Sequence, residues 1–248
     1  MRVVATYTIK GGVGKTSTAV NLAYQASRTG DRTLLWDLDP QGAATYLFRI
    51  RPRVKGGGKA IIRGTRALGD AIKGTDFDGL DLLPADFTYR SMDLLLDAGK
   101  KSTGRIARLL APLASDYDTV VLDCPPSVSL VSENVLRAAD TIVVPLIPAT
   151  LSLRTFDQLT EFVGTMSGRH PTILAFFSMV DRRKRLHRET VARLPSERAG
   201  ILPVVIPAAS LVEQMAEHRA PVAVFAPRSQ LARSYAQLWS EVVEHGRR

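Results

Sequence analysis

Two lysines, Lys10 and Lys15, flank three glycines and a valine in the segment YTIKGGVGKTSTAVNLA, which begins at Tyr7. A Gly-Lys-Thr sequence closing a glycine-rich turn is suited to bind phosphate. Gly11, Gly12 and Gly14 let backbone N–H groups close around an anion, and the positive end of the following helix adds to the attraction. Lys15 can reach β- and γ-phosphate oxygens, and the Thr16 hydroxyl is placed for Mg²⁺. The strict pattern G-x-x-x-x-G-K-[ST] needs glycine at position 9, where this chain has Ile9. Three aspartates stand with this loop as candidates: Asp37 and Asp39 in DLDPQGAAT, and Asp123 in VVLDCPPS. An aspartate ending an apolar strand, in a chain that also carries a phosphate loop, holds Mg²⁺, usually through a water.

These groups converge only if the chain between them places them at one end of a sheet. RVVATYT (2–8) is apolar and β-branched enough for a strand buried on both faces. TSTAVNLAYQASRTG (16–30) has helical spacing, with Ala19, Leu22, Ala23 and Ala26 on one face and Gly30 at its end. Further strands are expected at 32–40, 79–86, 117–126, 141–148, 172–181 and 201–207. Helices are expected at 41–48, 89–99, 104–115, 129–140, 152–167, 185–197, 210–218 and 229–245. Residues 51–75 are the least regular part, with a Gly-Gly-Gly turn and a helix expected over Thr65–Ile72. Strands alternating with helices of this length predict an α/β fold: a single doubly wound, mainly parallel sheet with helices on both faces. In such a sheet ligands gather at the carboxyl ends of the strands. No Pro/Gly/Ser linker or internal repeat divides the sequence, so residues 1–248 are read as one domain with a basic insertion at about 49–75.

The chain is 45% hydrophobic without an apolar run near the length of a membrane span, so no spanning helix is expected. The sequence reads directly into a strand at Arg2, so no signal peptide is expected. One cysteine, Cys124, excludes an intramolecular disulfide and fits a reducing cytoplasm. Four histidines and no Cys/His cluster leave no case for structural zinc. The formal net charge of +9 implies an acidic partner, nucleic acid or an anionic membrane. That charge is concentrated: Arg49–Lys73 holds eight basic residues and one acid, and Arg182–Arg198 holds seven and two.

KGGVGKT resembles the deviant Walker A motif of the ParA/MinD family of ATPases, and the resemblance runs nearly the whole length. VVLDCPPS resembles a Walker B motif. DLDPQGAAT resembles the family's D-x-D-P-Q-x-[AN]-[AS]-T segment. VLRAADTIVVPLIPATLSLRTFDQL and PVAVFAPRSQLARSYAQLWSEV resemble its A-A-D…P-x-x-P region and its A-P-R-S closing helix. The resemblance implies a P-loop ATPase that uses ATP and Mg²⁺. Gly11, Gly12, Val13, Gly14, Lys15, Thr16 and Ser17 would contact the nucleotide. Lys10 would reach across a nucleotide-sandwiched homodimer to the partner's phosphates. Asp39 would position or activate the attacking water. Asp37 would lie close to the magnesium shell held by Thr16 and Asp123. Family members contact adenine from loops after the late strands, where Met179 and Pro207 are the matching candidates.

The ParA proteins of this family bind DNA without sequence preference as ATP-bound dimers, and the resemblance implies the same here. Arg182, Arg183, Lys184, Arg185, Arg188 and Arg193 are the candidate phosphate contacts, with Arg219 and Arg233 read as extending the same face. A DNA-binding ParA-like ATPase of this kind would be cytoplasmic and nucleoid-associated. It would position a plasmid, chromosomal or protein cargo, and a stimulating partner, ParB-like or a cargo adaptor, would release it. The chain departs from partition members at Pro207-Ala208, where Pro-Arg is frequent, and in carrying RPRVKGGGKAIIRGTR. It shows no extra DNA-binding domain before its first strand, so operator-specific repression is not expected. The alternative is a MinD-like, membrane-associated positioning ATPase. Its natural anchor would be the last helix, where Leu231, Tyr235, Leu238, Trp239 and Val242 share a face. Core packing of that face is the expected reading, with no membrane partner.

Overall fold

A computed structural model describes residues 1–54, 57–97 and 102–246. Its strands are β1 (Arg2–Thr6), β2 (Thr33–Asp37), β3 (Lys73–Gly74), β4 (Leu80–Leu83), β5 (Thr119–Asp123), β6 (Thr141–Leu146), β7 (Thr172–Val180) and β8 (Ile201–Pro207). They form one sheet in the order β3-β4-β2-β5-β1-β6-β7-β8. Every pairing is parallel except β3 with β4. The helices are α1 (Lys15–Arg28), α2 (Ala43–Leu47), α3 (Gly58–Arg63), α4 (Met92–Asp97), α5 (Arg105–Leu110), α6 (Leu130–Ala138), α7 (Thr150–Thr165), α8 (Arg185–Glu197), α9 (Ser210–His218), α10 (Val222–Phe225) and α11 (Gln230–His245).

Strand side chains alternate between two buried layers, as a sheet covered on both faces requires. Val3, Ala5, Leu34, Trp36, Val120 and Leu122 pack into one layer with residues of α3–α8. Val4, Leu35 and Val121 pack into the other with α1, α2, α9, α10 and α11. The last helix belongs to this second layer. Leu231, Tyr235, Leu238, Trp239 and Val242 are all buried, and Trp239 Nε1 donates to Thr29 Oγ1 at 3.1 Å. That apolar face covers the sheet, leaving it unavailable to lipid.

The irregular segment is where the expected elements fail. Residues 65–72 carry only a 3₁₀ turn, Gly69–Ala71, and not the expected helix. A helix forms earlier instead, as α3, and Gly64 ends it in the left-handed conformation at φ 71°. Leu68 and Ala71 still reach the core, three residues apart, which one 3₁₀ turn accomplishes. Of the expected glycine turn, Gly56 lies outside the described residues, Gly57 takes φ 79°, and Gly58 opens α3. A Cβ at Gly58 would clash with the Tyr89 ring, so the start of α3 can approach Tyr89 only without a side chain. The antiparallel edge strand β3 also lacked a sequence signal, being two residues long.

Candidate functional site: a phosphate loop facing paired carboxylates

The loop between β1 and α1 carries the first group of candidates. Gly12 and Gly14 take φ 70° and 93°, and Gly14 serves as the N-cap of α1. A Cβ on Gly14 would sit 3.2 Å from Ser178 Oγ. That hydroxyl donates to the Val13 carbonyl at 2.8 Å, so the end of β7 braces the loop from behind. Lys15 is buried, and its Nζ donates to the Lys10 carbonyl at 3.0 Å. Burial lowers the Lys15 pKa, opposed by the negative charge of Asp123, Cys124 and Asp39. Thr16 and Ser17 are half-buried in the first turn of α1, and Lys10 is exposed.

The carboxylates arrive from neighbouring strands. Asp37 and Asp123 are paired in register at the ends of β2 and β5, with Thr6 of β1 beside Asp123 on its other side. Asp37 is engaged by protein: Oδ2 accepts from Thr45 N (2.8 Å) and Thr45 Oγ1 (2.7 Å), and Oδ1 accepts from Asp39 N (3.2 Å). Its pKa is pushed up to about 6 by burial, against the pull of the Thr45 hydrogen bonds. Asp123 is fully buried, and neither of its oxygens has a hydrogen-bond partner. Burial and the neighbouring Asp37 push its pKa well up, while Thr16 and Lys15 pull the other way. Two orphaned carboxylate oxygens beside a threonine hydroxyl are the donor set a hydrated Mg²⁺ requires. Asp39 is half-buried, and its Oδ1 accepts from Gln41 N at 2.9 Å.

A cleft of about 520 Å³ opens from the loop toward β7 and β8, lined by Gly12, Gly14, Ser17, Met179, Pro207 and Glu213 among others. The two residues suggested for the base therefore border the same cleft as the phosphate loop. Met179 holds φ 54°, a costly conformation for a side chain of this kind. Sequence reasoning did not assign Ser178 or Glu213 to this region, nor Thr45 to Asp37. Thr45 stood in the quoted DLDPQGAAT motif, and its spacing from Asp37 was the available signal. Tyr7 was a further omission: its hydroxyl donates to the Ser127 carbonyl at 2.8 Å and ties the phosphate loop to the loop after β5.

The basic candidates divide. Asp181 takes Arg183 in two 3.0 Å contacts, which hold the Asp181 carboxyl down to about 2. Arg185 pairs with Glu189, Arg193 with Glu197, and Arg198 with Asp157. Arg188 donates to the carbonyls of Arg182 and Arg183. Among the described residues, Arg182, Lys184 and Arg188 are exposed without an ion pair. The exposed pairs contribute little to stability and can exchange for phosphate. Arg219 and Arg233 do not extend this face. α8 lies with the first core layer, whereas α9 and α11 lie with the second, and Arg219 is held on Tyr46 of α2.

A mainly parallel sheet whose first loop wraps a helix N-terminus, with a buried Lys15 and with Asp123 at the end of the strand next to β1, defines a P-loop nucleotide-binding protein. A family model described as an AAA domain matches residues 1–175. The sporulation initiation inhibitor protein Soj of Bacillus subtilis is 31% identical over 251 residues, covering 99% of both chains. The chromosome partitioning protein ParA of Caulobacter vibrioides is 30% identical, covering 100% of this chain and 96% of its own. A crystal structure described as cobyrinic acid a,c-diamide synthase of Mycobacterium smegmatis, with an ATP analogue and magnesium, superposes with a TM-score of 0.81 at 26% identity. It covers 99% of this chain and 95% of its own. The chain belongs to the ParA/MinD family of P-loop ATPases.

Proposed function

We propose that this chain is a ParA-like ATPase that binds Mg-ATP, dimerises around two nucleotides and binds DNA without sequence preference, so as to segregate or position a cargo. The observation that carries the reading is the pair of bare Asp123 oxygens, buried at the end of β5 beside the Gly-Lys-Thr turn. The backbone of residues 11–16 and Lys15 would hold the phosphates, and the cleft at Met179 and Pro207 would take the adenine. Thr16 and Asp123 would hold Mg²⁺, with Asp37 beside them. Bound there, the cation neutralises charge on the β- and γ-phosphates. Asp39 would orient the attacking water, and its contact with Gln41 N sets its carboxylate. Lys10, exposed at the loop mouth, is free to serve a second copy's phosphates. The protein would act in the cytoplasm on the nucleoid, and a ParB-like partner or cargo adaptor would stimulate its slow hydrolysis and release it.

The DNA surface is assigned to Arg182, Arg183, Lys184, Arg185, Arg188 and Arg193. A gel shift with unrelated duplexes, with and without Mg-ATP, tests it. Binding should require ATP, show little sequence preference, and fall with salt at a log–log slope of roughly −0.9 per phosphate neutralised. Reversal of Lys184 and Arg185 to Glu should weaken it by orders of magnitude while ATP binding persists. ATP-independent binding with a strong sequence preference would refute the assignment. For the membrane-associated alternative, no described helix is long and apolar enough to cross a membrane, and the apolar face of α11 is buried.

A further inference from the structure

Three described non-glycine residues hold positive φ: Arg49 (60°), Met179 (54°) and Arg219 (50°). Met179 borders the base cleft. The two arginines answer each other. Arg49 lies just beyond α2, and its Nη2 donates to the carbonyl of His218, the last residue of α9, at 3.1 Å. Arg219 caps α9, and its Nε donates to the carbonyl of Tyr46 in α2 at 3.0 Å. Its guanidinium stacks 4.5 Å from the Tyr46 ring centre. The same Tyr46 oxygen also accepts the Arg49 amide at 3.0 Å. Each helix therefore ends on a left-handed arginine that closes the other helix's carboxyl end, where a cation is favoured. Asp76 steadies Arg49 at 3.2 Å, and Phe225 stacks on His218 at 4.3 Å between centres.

Glycine is the residue that adopts this backbone without strain. An arginine persists there when its side chain is held by its surroundings, and such strain collects where position matters to function. What the exchange joins is specific. α2 is fixed to Asp37 through Thr45, and the turn before it closes on Asp39 through Gly42 N to Asp39 O (2.9 Å) and Gln41 N to Asp39 Oδ1. α9 starts on the cleft, where Ser210, Val212 and Glu213 form part of the wall.

We propose that Arg49 and Arg219 are positioning residues that couple occupation of the base cleft to the setting of Asp39, so that the phosphate chain is hydrolysed faster when it carries a base. The inference rests on the reading of the cleft as the base site and of Asp39 as the residue that orients water. A base seated against α9 fixes that helix, the two arginine bonds carry its position to α2, and α2 holds the 37–42 turn. Arg219 is thereby committed to Tyr46, and DNA affinity does not depend on it.

The test compares hydrolysis of ATP with that of inorganic triphosphate, both with Mg²⁺, by the full chain. Wild type should turn over ATP with a higher kcat. Arg219→Gly and Arg49→Gly relieve the backbone strain, so melting temperature should hold or rise. The ATP kcat should fall by about tenfold in each, with KM changed less than about twofold and triphosphate turnover unchanged. The double variant should lose no more than either single one, because one clamp is removed either way. Arg219→Lys keeps the charge but loses the planar stack and the Nε bond, and should behave as Arg219→Gly even if the glycine variants fold poorly. DNA retention by the Arg219 variants should match wild type. Equal losses with ATP and triphosphate, an unchanged ATP kcat, or a wild type that does not distinguish the two by kcat would overturn the coupling. So would loss of DNA binding with an intact ATP preference. A wild type that hydrolyses neither compound would instead refute the proposed function itself.

Discussion

Asp37 and Asp123 lie side by side in register at the ends of β2 and β5, yet Thr45 and the Asp39 amide satisfy the Asp37 carboxylate while neither carboxylate oxygen of Asp123 has a hydrogen-bond partner. Both carboxyls have raised pKa values, that of Asp37 to about 6, chiefly through burial. A carboxyl whose folded pKa exceeds its unfolded value binds its proton more readily when folded. The penalty of ionising it is absent below the unfolded value and grows as pH rises from there until it has passed the folded one. The nucleotide-free protein should therefore lose stability as pH rises from roughly 4 to 7, above the range in which Asp118 and Asp181, both held near 2, lose their charge. Thermal melts across that range should show Asp123→Asn flattening the loss and melting higher than wild type at pH 7. Mg-ATP should stabilise wild type at pH 7 and should give Asp123→Asn no magnesium-dependent gain. A variant that melts lower than wild type at pH 7 and still gains from magnesium would contradict this account of Asp123.

Gly14→Ala should be costly although the substitution is small. The backbone at φ 93° strains any side chain, and the new Cβ would stand 3.2 Å from Ser178 Oγ. A loss of about 1–3 kcal/mol in urea unfolding is expected, together with weaker ATP binding. Gly11→Ala is the control. Its φ is not in the left-handed range and nothing lies within 4 Å of a Cβ there, so stability should be nearly unchanged.

The parts of this protein that could be read from its sequence are those fixed by short-range rules. β8, α8 and α9 fall on the expected residues because hydrophobic period and flanking breakers agree there. Asp123 could be read because an apolar run delivers it to a strand end, and Lys15 because a glycine turn precedes it. Residues 49–75 could not, because their folding is decided by partners distant in sequence. Asp86 accepts from Val54 N, Arg105 Nε donates to the Ile62 carbonyl, and the Tyr89 ring needs Gly58. The same limit hid the arginine exchange: Arg49 and Arg219 are 170 positions apart and carry no shared motif. Charge counting likewise overstated the α8 face, because Asp157 and Asp181 reach it from outside the helix.

Filling the cleft should separate base binding from phosphate binding. Ala208 is exposed and borders the cleft with Met179 and Pro207. Ala208→Trp should weaken ATP binding by about tenfold or more, the equivalent of losing one good contact, while inorganic triphosphate binds as before. Isothermal titration with each compound decides the matter. Equal weakening of both would place the base elsewhere.

Sedimentation velocity with saturating Mg-ATP gives the most direct test of the assignment of the two lysines and Asp39. Wild type should form a dimer. Lys15→Ala should not bind ATP. Lys10→Ala should bind ATP, because Lys15 and the loop backbone remain, and should stay monomeric because the contact to the second copy is lost. Asp39→Ala should bind ATP and dimerise while its hydrolysis falls by at least about a hundredfold. A dimeric Lys10→Ala beside a monomeric Asp39→Ala would contradict the assignment.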